Sequence, residues 1–180
     1  MQTTDHVATL LGVHDCTLVA CDTSVANGET VQSFTLMYSG SQPSVCSVCG
    51  APLRKHGMRT VDVVATPHLG KPTKLVIEFP RLRCTGCGNV WRPQIKGVDE
   101  NHRMTEAAYA DIAQKSLNLT FREVARDYPL SHVTIKNVFE DYVSEHEVGL
   151  RFKVPVFLGI DEKNLKRVGM VTVITDLENK

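Results

Sequence analysis

The motif C-x-x-C-G occurs twice in this chain, as Cys46-Ser47-Val48-Cys49-Gly50 and as Cys84-Thr85-Gly86-Cys87-Gly88. A two-residue spacer lets both sulfurs of one motif point at one ion, and the following glycine lets the chain turn back. Two such motifs supply the closed set of four thiolates that structural zinc uses. We therefore predict one structural Zn²⁺ per chain, with four ligands: Cys46, Cys49, Cys84 and Cys87.

Paired cysteines have two other common uses besides binding zinc. A thioredoxin-like dithiol or a thiol oxidoreductase needs a reactive thiol of low pKa, whereas zinc-bound thiolates resist alkylation. An iron–sulfur cluster is the other alternative. The remaining cysteines, Cys16 and Cys21, are interpreted as small strand residues and not as ligands.

Two β-hairpins are predicted around the first motif. Thr60–Thr66 and Thr73–Phe79 are rich in Val, Ile and Thr, and a turn with two prolines and a glycine separates them. Upstream, Cys16–Ala20 and Val31–Tyr38 have strand character, and Asn27-Gly28 between them suits a tight turn. We assign 1–43 to an N-terminal hairpin region and 44–95 to a zinc-ribbon-like module.

Helical periodicity begins at about residue 105, where the apolar period changes to about 3.6 residues. Thr105 is placed to cap a helix that runs to about Leu117. The helical period predicts the face that this helix buries, formed by Ala108 and, four and five positions later, Ile112 and Ala113.

Two shorter helical segments follow. Thr120 and Glu123 form a capping box for a helix that ends before Pro129. Ser131 caps a third helix, which Gly149 ends. Its inner face is predicted to contain Ile135, Val138, Phe139 and Tyr142.

Residues 120–144 fit a helix-turn-helix, within a helical part that spans 103–149. A recognition helix presents its N-terminal residues to base edges, so we select five candidates for base contacts: Ser131, His132, Thr134, Lys136 and Asn137. Arg122 and Arg126 on the preceding helix are candidates for phosphate contacts. A helical hairpin with a solvated polar face is the alternative, and four acids favour it: Glu140, Asp141, Glu145 and Glu147.

Composition and charge narrow the classes of function. The 180 residues are 42% hydrophobic and carry no net charge, which suits a globular protein. Residues 46–103, however, hold ten bases against four acids, and such a local basic surface attracts phosphates. Without a membrane-length apolar run or an export signal, we expect a cytoplasmic, nucleoid-associated protein with no membrane partner.

The last segment reads as the start of another sheet. Val154–Ile160 is an almost continuous apolar run, which predicts a fully buried strand, and Asp161 and Glu162 follow at its end. Gly169–Thr175 reads as a second strand. Because two strands make no stable sheet alone, we expect an incomplete domain over 153–180.

The order of these parts resembles the insertion-sequence transposases of the ISL-three family. The most specific matches are the paired cysteine motifs, Arg81-Leu82-Arg83-Cys84, Leu158-Gly159-Ile160-Asp161-Glu162 and Thr175-Asp176-Leu177-Glu178. The resemblance implies a ribonuclease-H-like catalytic domain with an Asp, Asp, Glu triad, in which Asp161 is the first Asp. It gives Glu162 and Asp176 no role in the triad.

The resemblance also sets the expected function. We expect an α+β chain that binds the terminal repeats of a transposon as double-stranded DNA, with a homo-oligomer left open. The second Asp and the Glu do not precede Lys180, so this chain alone is expected to be catalytically inactive, and Mg²⁺ is expected only in a complete catalytic domain. A non-enzymatic DNA-binding regulator and a zinc-stabilised protein-interaction module are the alternatives.

Overall fold

The computed structural model describes residues 3–26, 29–147, 156–165 and 169–177. The chain divides into two compact units, Met1–Val143 and Ser144–Lys180. Four sequence features lie outside the described residues: the Asn27-Gly28 turn, the helix end at Gly149, the start of the apolar run at Val154-Pro155, and Glu178. The four module boundaries expected from the sequence stay predictions.

One mixed sheet forms the first part of the larger unit. Its strands within the described residues are β1 (Cys16–Ala26), β2 (Glu29–Tyr38), β3 (Leu53–His68), β4 (Lys71–Cys84), β5 (Val90–Trp91), β6 (Val98–Asp99) and β7 (Met104–Thr105). Their order is β1-β2-β4-β3-β7-β6, and β5 pairs with the outer part of β4. Both predicted hairpins are present, and parallel pairing of β2 with β4 joins them in one sheet.

The β3–β4 hairpin is longer than the sequence pattern indicated. Its pairing runs from the turn near His68 and Lys71 to Leu53 and Cys84. The residues that extend the strands beyond 60–66 and 73–79 are largely polar and show no apolar alternation. The sequence pattern therefore did not predict these extensions. As a result, β4 ends on a cysteine of the second motif.

An N-terminal helix, α1 (Thr3–Leu10), closes one side of the sheet and was missed by the sequence analysis. At eight residues it is too short to show a clear helical period. Ala8 and Leu11 pack with strand residues that alternate toward the same face, among them Leu36, Leu75 and Ile77, which are fully buried. Each such side chain contributes about 1.5–3 kcal/mol of apolar burial.

Three helices follow the sheet: α2 (Glu106–Ser116), α3 (Phe121–Val124) and α4 (His132–Glu147). The caps are as predicted. Thr105 Oγ1 accepts from the Ala108 N–H at 3.1 Å, and Thr120 and Glu123 form the capping box. Ser131 Oγ accepts from the Thr134 N–H at 3.1 Å.

A second core holds these helices together. It contains Met104, Ala108, Ile112, Val124, Tyr128, Ile135 and Val138, all 0–1% exposed. Ala113, the third predicted inner residue of α2, is also fully buried, and Phe139 and Tyr142 of α4 are half-buried. Val64 of β3 packs on the same core, so the sheet and the helices share one compact unit.

None of the helices in the described part of the chain is long and apolar enough to cross a membrane.

The smaller unit contains a two-stranded hairpin, β8 (Leu158–Leu165) and β9 (Gly169–Asp176). The prediction of a fully buried strand is wrong, because Val156 and Ile160 are 73% and 71% exposed. An apolar run of this kind suits a strand covered on both faces, and this hairpin covers neither. Asp161 lies within β8 opposite Val173, not at the end of the strand as expected, because the pairing continues to Leu165.

Candidate metal centre and nucleic-acid interface

The four predicted metal ligands converge at the open end of the β3–β4 hairpin. The sulfurs of Cys46, Cys49, Cys84 and Cys87 lie within 4.8 Å of one another. The Sγ atoms of Cys46 and Cys87 are 3.7 Å apart, and those of Cys49 and Cys84 are 3.3 Å apart. A tetrahedral zinc–thiolate site has sulfurs about 3.8 Å apart, as follows from Zn–S bonds of about 2.3 Å. The set has the dimensions of a metal-binding site.

The two motifs fold in the same way. Gly50 and Gly88 have φ of +72° and +74°, a conformation that a residue with a Cβ adopts only at a cost. The N–H of each glycine donates to the carbonyl of the first cysteine of its motif, at 2.9 and 3.2 Å. The predicted turn back at each glycine is therefore confirmed, and it brings the second cysteine of each motif beside the first.

Backbone N–H groups favour the thiolate at Cys84. The N–H of Cys87 has the largest effect, and with that of Gly86, 3.3 Å from Sγ, it lowers the pKa of Cys84 to about 6. The pKa of Cys87 shifts the other way: although the Asn89 backbone lowers it, the neighbouring cysteine sulfurs raise it to about 11. A divalent cation would replace the protons that these sulfurs share.

Cys16 and Cys21 lie on β1 and outside this cluster, as the sequence analysis expected. Cys16 is buried in the first core, where burial and then the charge of Asp15 raise its pKa to about 11. A buried thiol of this kind packs as a small apolar side chain.

The structure presents most of the predicted base-contacting residues at the N-terminal end of α4. Ser131, His132, Lys136 and Asn137 are exposed. Thr134 is half-buried, and its Oγ1 lies 2.9 Å from Oγ of Ser131. Because Ser131 caps the helix and its hydroxyl bonds that of Thr134, the predicted base-contacting side chains that remain exposed on α4 are His132, Lys136 and Asn137.

Val133 belongs to this surface and was missed from the sequence. It is 53% exposed and precedes Lys136 and Asn137 by three and four residues, so it shares their face of α4. An exposed apolar side chain at this position can contact a thymine methyl group. The spacing to Lys136 and Asn137 was the available signal.

Charges around α4 are largely paired. Lys136 Nζ lies 2.9 Å from the Glu140 carboxylate. Arg122 on α3 and Arg126 just after it are exposed. Exposed pairs contribute only about 0–1 kcal/mol, so DNA phosphates can compete for Lys136 at little cost.

His102 connects the loop before β7 to α4. Its Nδ1 lies 2.7 Å from Asp99 Oδ2, and its Nε2 lies 2.8 Å from Asp141 Oδ2. Partial burial lowers the pKa of His102, but the hydrogen bonds to Asp99 and Asp141 outweigh it and raise the pKa above its ordinary value. When His102 is protonated, it holds α4 through Asp141 and partly balances the charge of that carboxylate.

A second polar contact fixes the turn of the helix-turn-helix. Lys115 Nζ lies 3.0 Å from Asp111 and 2.9 Å from Asp127, and the Tyr128 hydroxyl donates to Asp111. Burial raises the pKa of Tyr128, and its bond to Asp111 raises it further, so the hydroxyl stays protonated and can donate. The turn between α3 and α4 is thus tied to α2.

Asp161 and Glu162 are exposed on β8. Among the described residues the cysteine set is the group of His, Cys, Asp or Glu with metal-binding geometry, and Asp161 is not part of it. The role that the resemblance assigns to Asp161 stays a prediction.

Comparison with known proteins identifies the helical part. Residues 93–143 match the family model described as the helix-turn-helix domain of transposase family ISL3, the ISL-three family. No curated protein and no solved structure is significantly similar to the chain. The matched residues include β6, β7, α2, α3, most of α4 and the His102 contacts. The predicted resemblance is confirmed over this range.

Proposed function

We propose that this chain, whose residues 93–143 are a helix-turn-helix domain of transposase family ISL3, recognises transposon-end DNA through the N-terminal half of α4. The observation that carries the proposal is the exposed row His132, Val133, Lys136 and Asn137 on a helix that matches the DNA-binding domain of a transposase family. The match of residues 93–143 to a helix-turn-helix domain of transposase family ISL3 supports a DNA-binding role within a transposase.

The side chains of this row suit the edges of base pairs. An Asn side chain can pair with adenine through two hydrogen bonds, and a Lys ammonium suits the acceptors of guanine. Arg122 and Arg126, on the side of α3, would contact phosphates and fix the orientation of α4 in the major groove.

The pairing of the acids on α4 supports this proposal. Glu140 bonds Lys136, and Asp141 shares His102 with Asp99, so each of these two carboxylates of α4 has a basic partner in the free protein. Both also lie in the second half of the helix, beyond the residues proposed to read bases. These partners therefore offset part of the acidity of α4.

The four-cysteine set is proposed to hold one structural Zn²⁺. Zinc prefers thiolates, and four protein sulfurs complete its tetrahedral coordination, which leaves no position for a substrate. Bound metal would fix the open end of the β3–β4 hairpin.

Asp161 is proposed as the first carboxylate of a catalytic triad that further chain would complete. Its exposed carboxylate on a strand is a hard oxygen ligand of the kind Mg²⁺ takes. In strand-transfer enzymes two such ions activate the attacking oxygen and stabilise the leaving one.

The test measures binding of the zinc-loaded chain to duplexes from the ends of its element and to shuffled duplexes of equal composition. We expect a preference for element ends, which Lys136→Ala with Asn137→Ala reduces by tenfold or more, since each good base contact contributes about 1–3 kcal/mol of discrimination. Lys71→Ala, at the exposed first residue of β4, is the control and should leave the preference unchanged. Equal affinity of the wild-type chain for both duplexes would reject end recognition.

A further inference from the structure

A cleft of about 500 Å³ lies between β3 and the segment that leads into the helix-turn-helix. Its lining includes three arginines, Arg59, Arg92 and Arg103, together with apolar residues such as Phe79 and Ile95. None of these arginines is among the predicted DNA contacts, because they are far apart in the sequence.

Strand register extends this basic lining along the hairpin. Arg59 pairs with Phe79 and Arg54 pairs with Arg83 across the antiparallel ladder. Because side chains of a strand alternate between faces, Phe79, Arg81 and Arg83 share one face of β4. That face therefore changes from the apolar core at Phe79 to a row of arginines that ends beside the cysteine set.

Acids near the cleft balance only part of this charge. Glu100 bonds Arg92 at 2.9 Å, and Asp62 bonds Lys74 at 2.7 Å. In the described part of the chain no ion pair is found for Arg59 or Arg103, both of which are exposed. The Nε of Arg81 is buried without a hydrogen-bond partner within the same described residues.

The cleft and the part of α4 up to Val143 belong to the same compact unit. Arg103 has φ of +52°, a left-handed conformation that is unfavourable for a side chain of its size. Its carbonyl accepts from the Val64 N–H of β3 at 2.9 Å. The preceding residue, His102, bonds Asp141 of α4, so the rim of the cleft is connected directly to the helix proposed to read DNA.

The chemistry of this surface selects its ligand. Guanidinium groups bind phosphate oxygens through paired N–H donors, and an open row of them suits a chain of phosphates better than one small anion. Arg81 and Arg83, two residues apart on a strand, are spaced about 6.8 Å, which lets neighbouring arginines meet different phosphates. We propose that the arginine surface formed by Arg54, Arg59, Arg81, Arg83, Arg92 and Arg103 binds the phosphate backbone of the duplex that α4 reads, an inference that rests on the proposed function.

The experiment compares the full zinc-loaded chain with the double variant Arg59→Gln, Arg103→Gln. The probes are a labelled 30-base-pair duplex enriched from a randomised pool and a random duplex of the same length, each titrated between about 50 and 200 mM salt. We expect about tenfold weaker binding of both probes, and a plot of log K against log salt less steep by about 2, because each lost phosphate contact removes about 0.9. The preference between the two probes should remain.

The control removes the same number of charges elsewhere, at Lys71→Gln and Lys163→Gln, and should keep the wild-type affinity and salt slope. If the double variant fails to fold, as judged by zinc content and thermal unfolding, Arg59→Lys with Arg103→Lys replaces it. Lysine keeps the positive charge but lacks the paired N–H donors of arginine. If these side chains bind phosphates, we therefore expect weaker DNA binding with a nearly unchanged salt slope. Wild-type affinity and slope in a folded glutamine or lysine variant would overturn the proposal.

The outcomes separate this inference from the proposed function. If the wild-type chain binds no duplex, both fail. If it binds with a preference that depends on Lys136 and Asn137 but not on Arg59 and Arg103, only the arginine surface is rejected. If the glutamine variant loses binding to a polyglutamate probe but keeps its affinity for DNA, the surface binds an acidic protein, and the proposal is again overturned.

Discussion

The two ends of the β3–β4 hairpin are held in different ways. The end near the turn packs Val63, Ala65, Leu75 and Ile77 into an apolar core, and all four are 0–1% exposed. The outer end has exposed Arg54, Lys55 and Met58 on β3 and finishes at four sulfurs within 4.8 Å of one another. We propose that a bound metal would take the place of side-chain packing where the sheet leaves its core, as it does in small zinc modules.

Removing a metal ligand should have the largest effect. We expect Cys84→Ser, or treatment with a chelator, to remove zinc and to unfold the outer end of the hairpin, because metal binding contributes about 10–16 kcal/mol in small zinc modules. Hydrogen exchange should rise at residues 53–58 and 80–87 and stay low at 63–65 and 75–77.

The matched control is Cys21→Ser, which changes an exposed cysteine on β1 and should leave the zinc content at one per chain. Equal protection from hydrogen exchange at both ends of the hairpin in the metal-free chain would contradict the proposal that metal holds the outer end.

A cavity in the helical core should rank second. Ile135→Ala truncates a fully buried side chain of α4, so we expect the free energy of unfolding to fall by about 2–5 kcal/mol. Denaturant unfolding of the zinc-loaded chain measures the change. Val133→Ala, on the exposed face of the same helix, should change stability by less than about 0.5 kcal/mol. Similar losses in the two variants would mean that α4 packs through a different face.

Loss of a helix cap should rank third. Thr120→Ala removes the side chain that bonds both the N–H and the carboxylate of Glu123, and we expect a loss of about 1 kcal/mol. Thr120→Ser keeps the hydroxyl and should restore most of the stability. A serine variant as unstable as the alanine variant would show that the capping bonds do not matter.

The smallest effect concerns pH. The pKa of His102 is raised in the folded protein, so its contribution is fully present below the ordinary value of 6.5 and is lost as pH rises through the raised pKa. We expect stability of the helical part to fall by about 1 kcal/mol or less over that range, because Asp141 is largely exposed. His102→Gln should flatten the dependence of stability on pH. An unchanged pH dependence would mean that the contacts of His102 with Asp99 and Asp141 do not stabilise the helical part.

Sequence reasoning predicted the parts of the fold that rest on local chemistry. The two cysteine motifs, the caps at Thr105, Thr120 and Ser131, and the buried face of α2 follow from spacing and hydrogen-bonding capacity, and the structure confirms them. Parallel pairing of β2 with β4 was not predictable, because it depends on contacts between residues about forty positions apart, such as Phe34 and Leu75.

The same limit applies to the candidate sites. The cysteines are recognisable in the sequence from their repeated motif. The cleft residues Arg59, Arg92 and Arg103 are distant in sequence, and only the folded sheet brings them together. Val156 and Ile160 are exposed, contrary to the burial expected from the sequence, for a related reason: an apolar run indicates that a covering layer is needed, but not that the described chain supplies it.

The most direct test of the central claim is a base-by-base map of discrimination on the duplex enriched by the zinc-loaded chain, for the wild type and for Asn137→Ala. If α4 reads DNA as proposed, the variant loses discrimination by about 1–3 kcal/mol at one base pair, with the other positions unchanged. If the variant discriminates at every position as the wild type does, Asn137 does not read bases, and the proposed orientation of α4 is wrong.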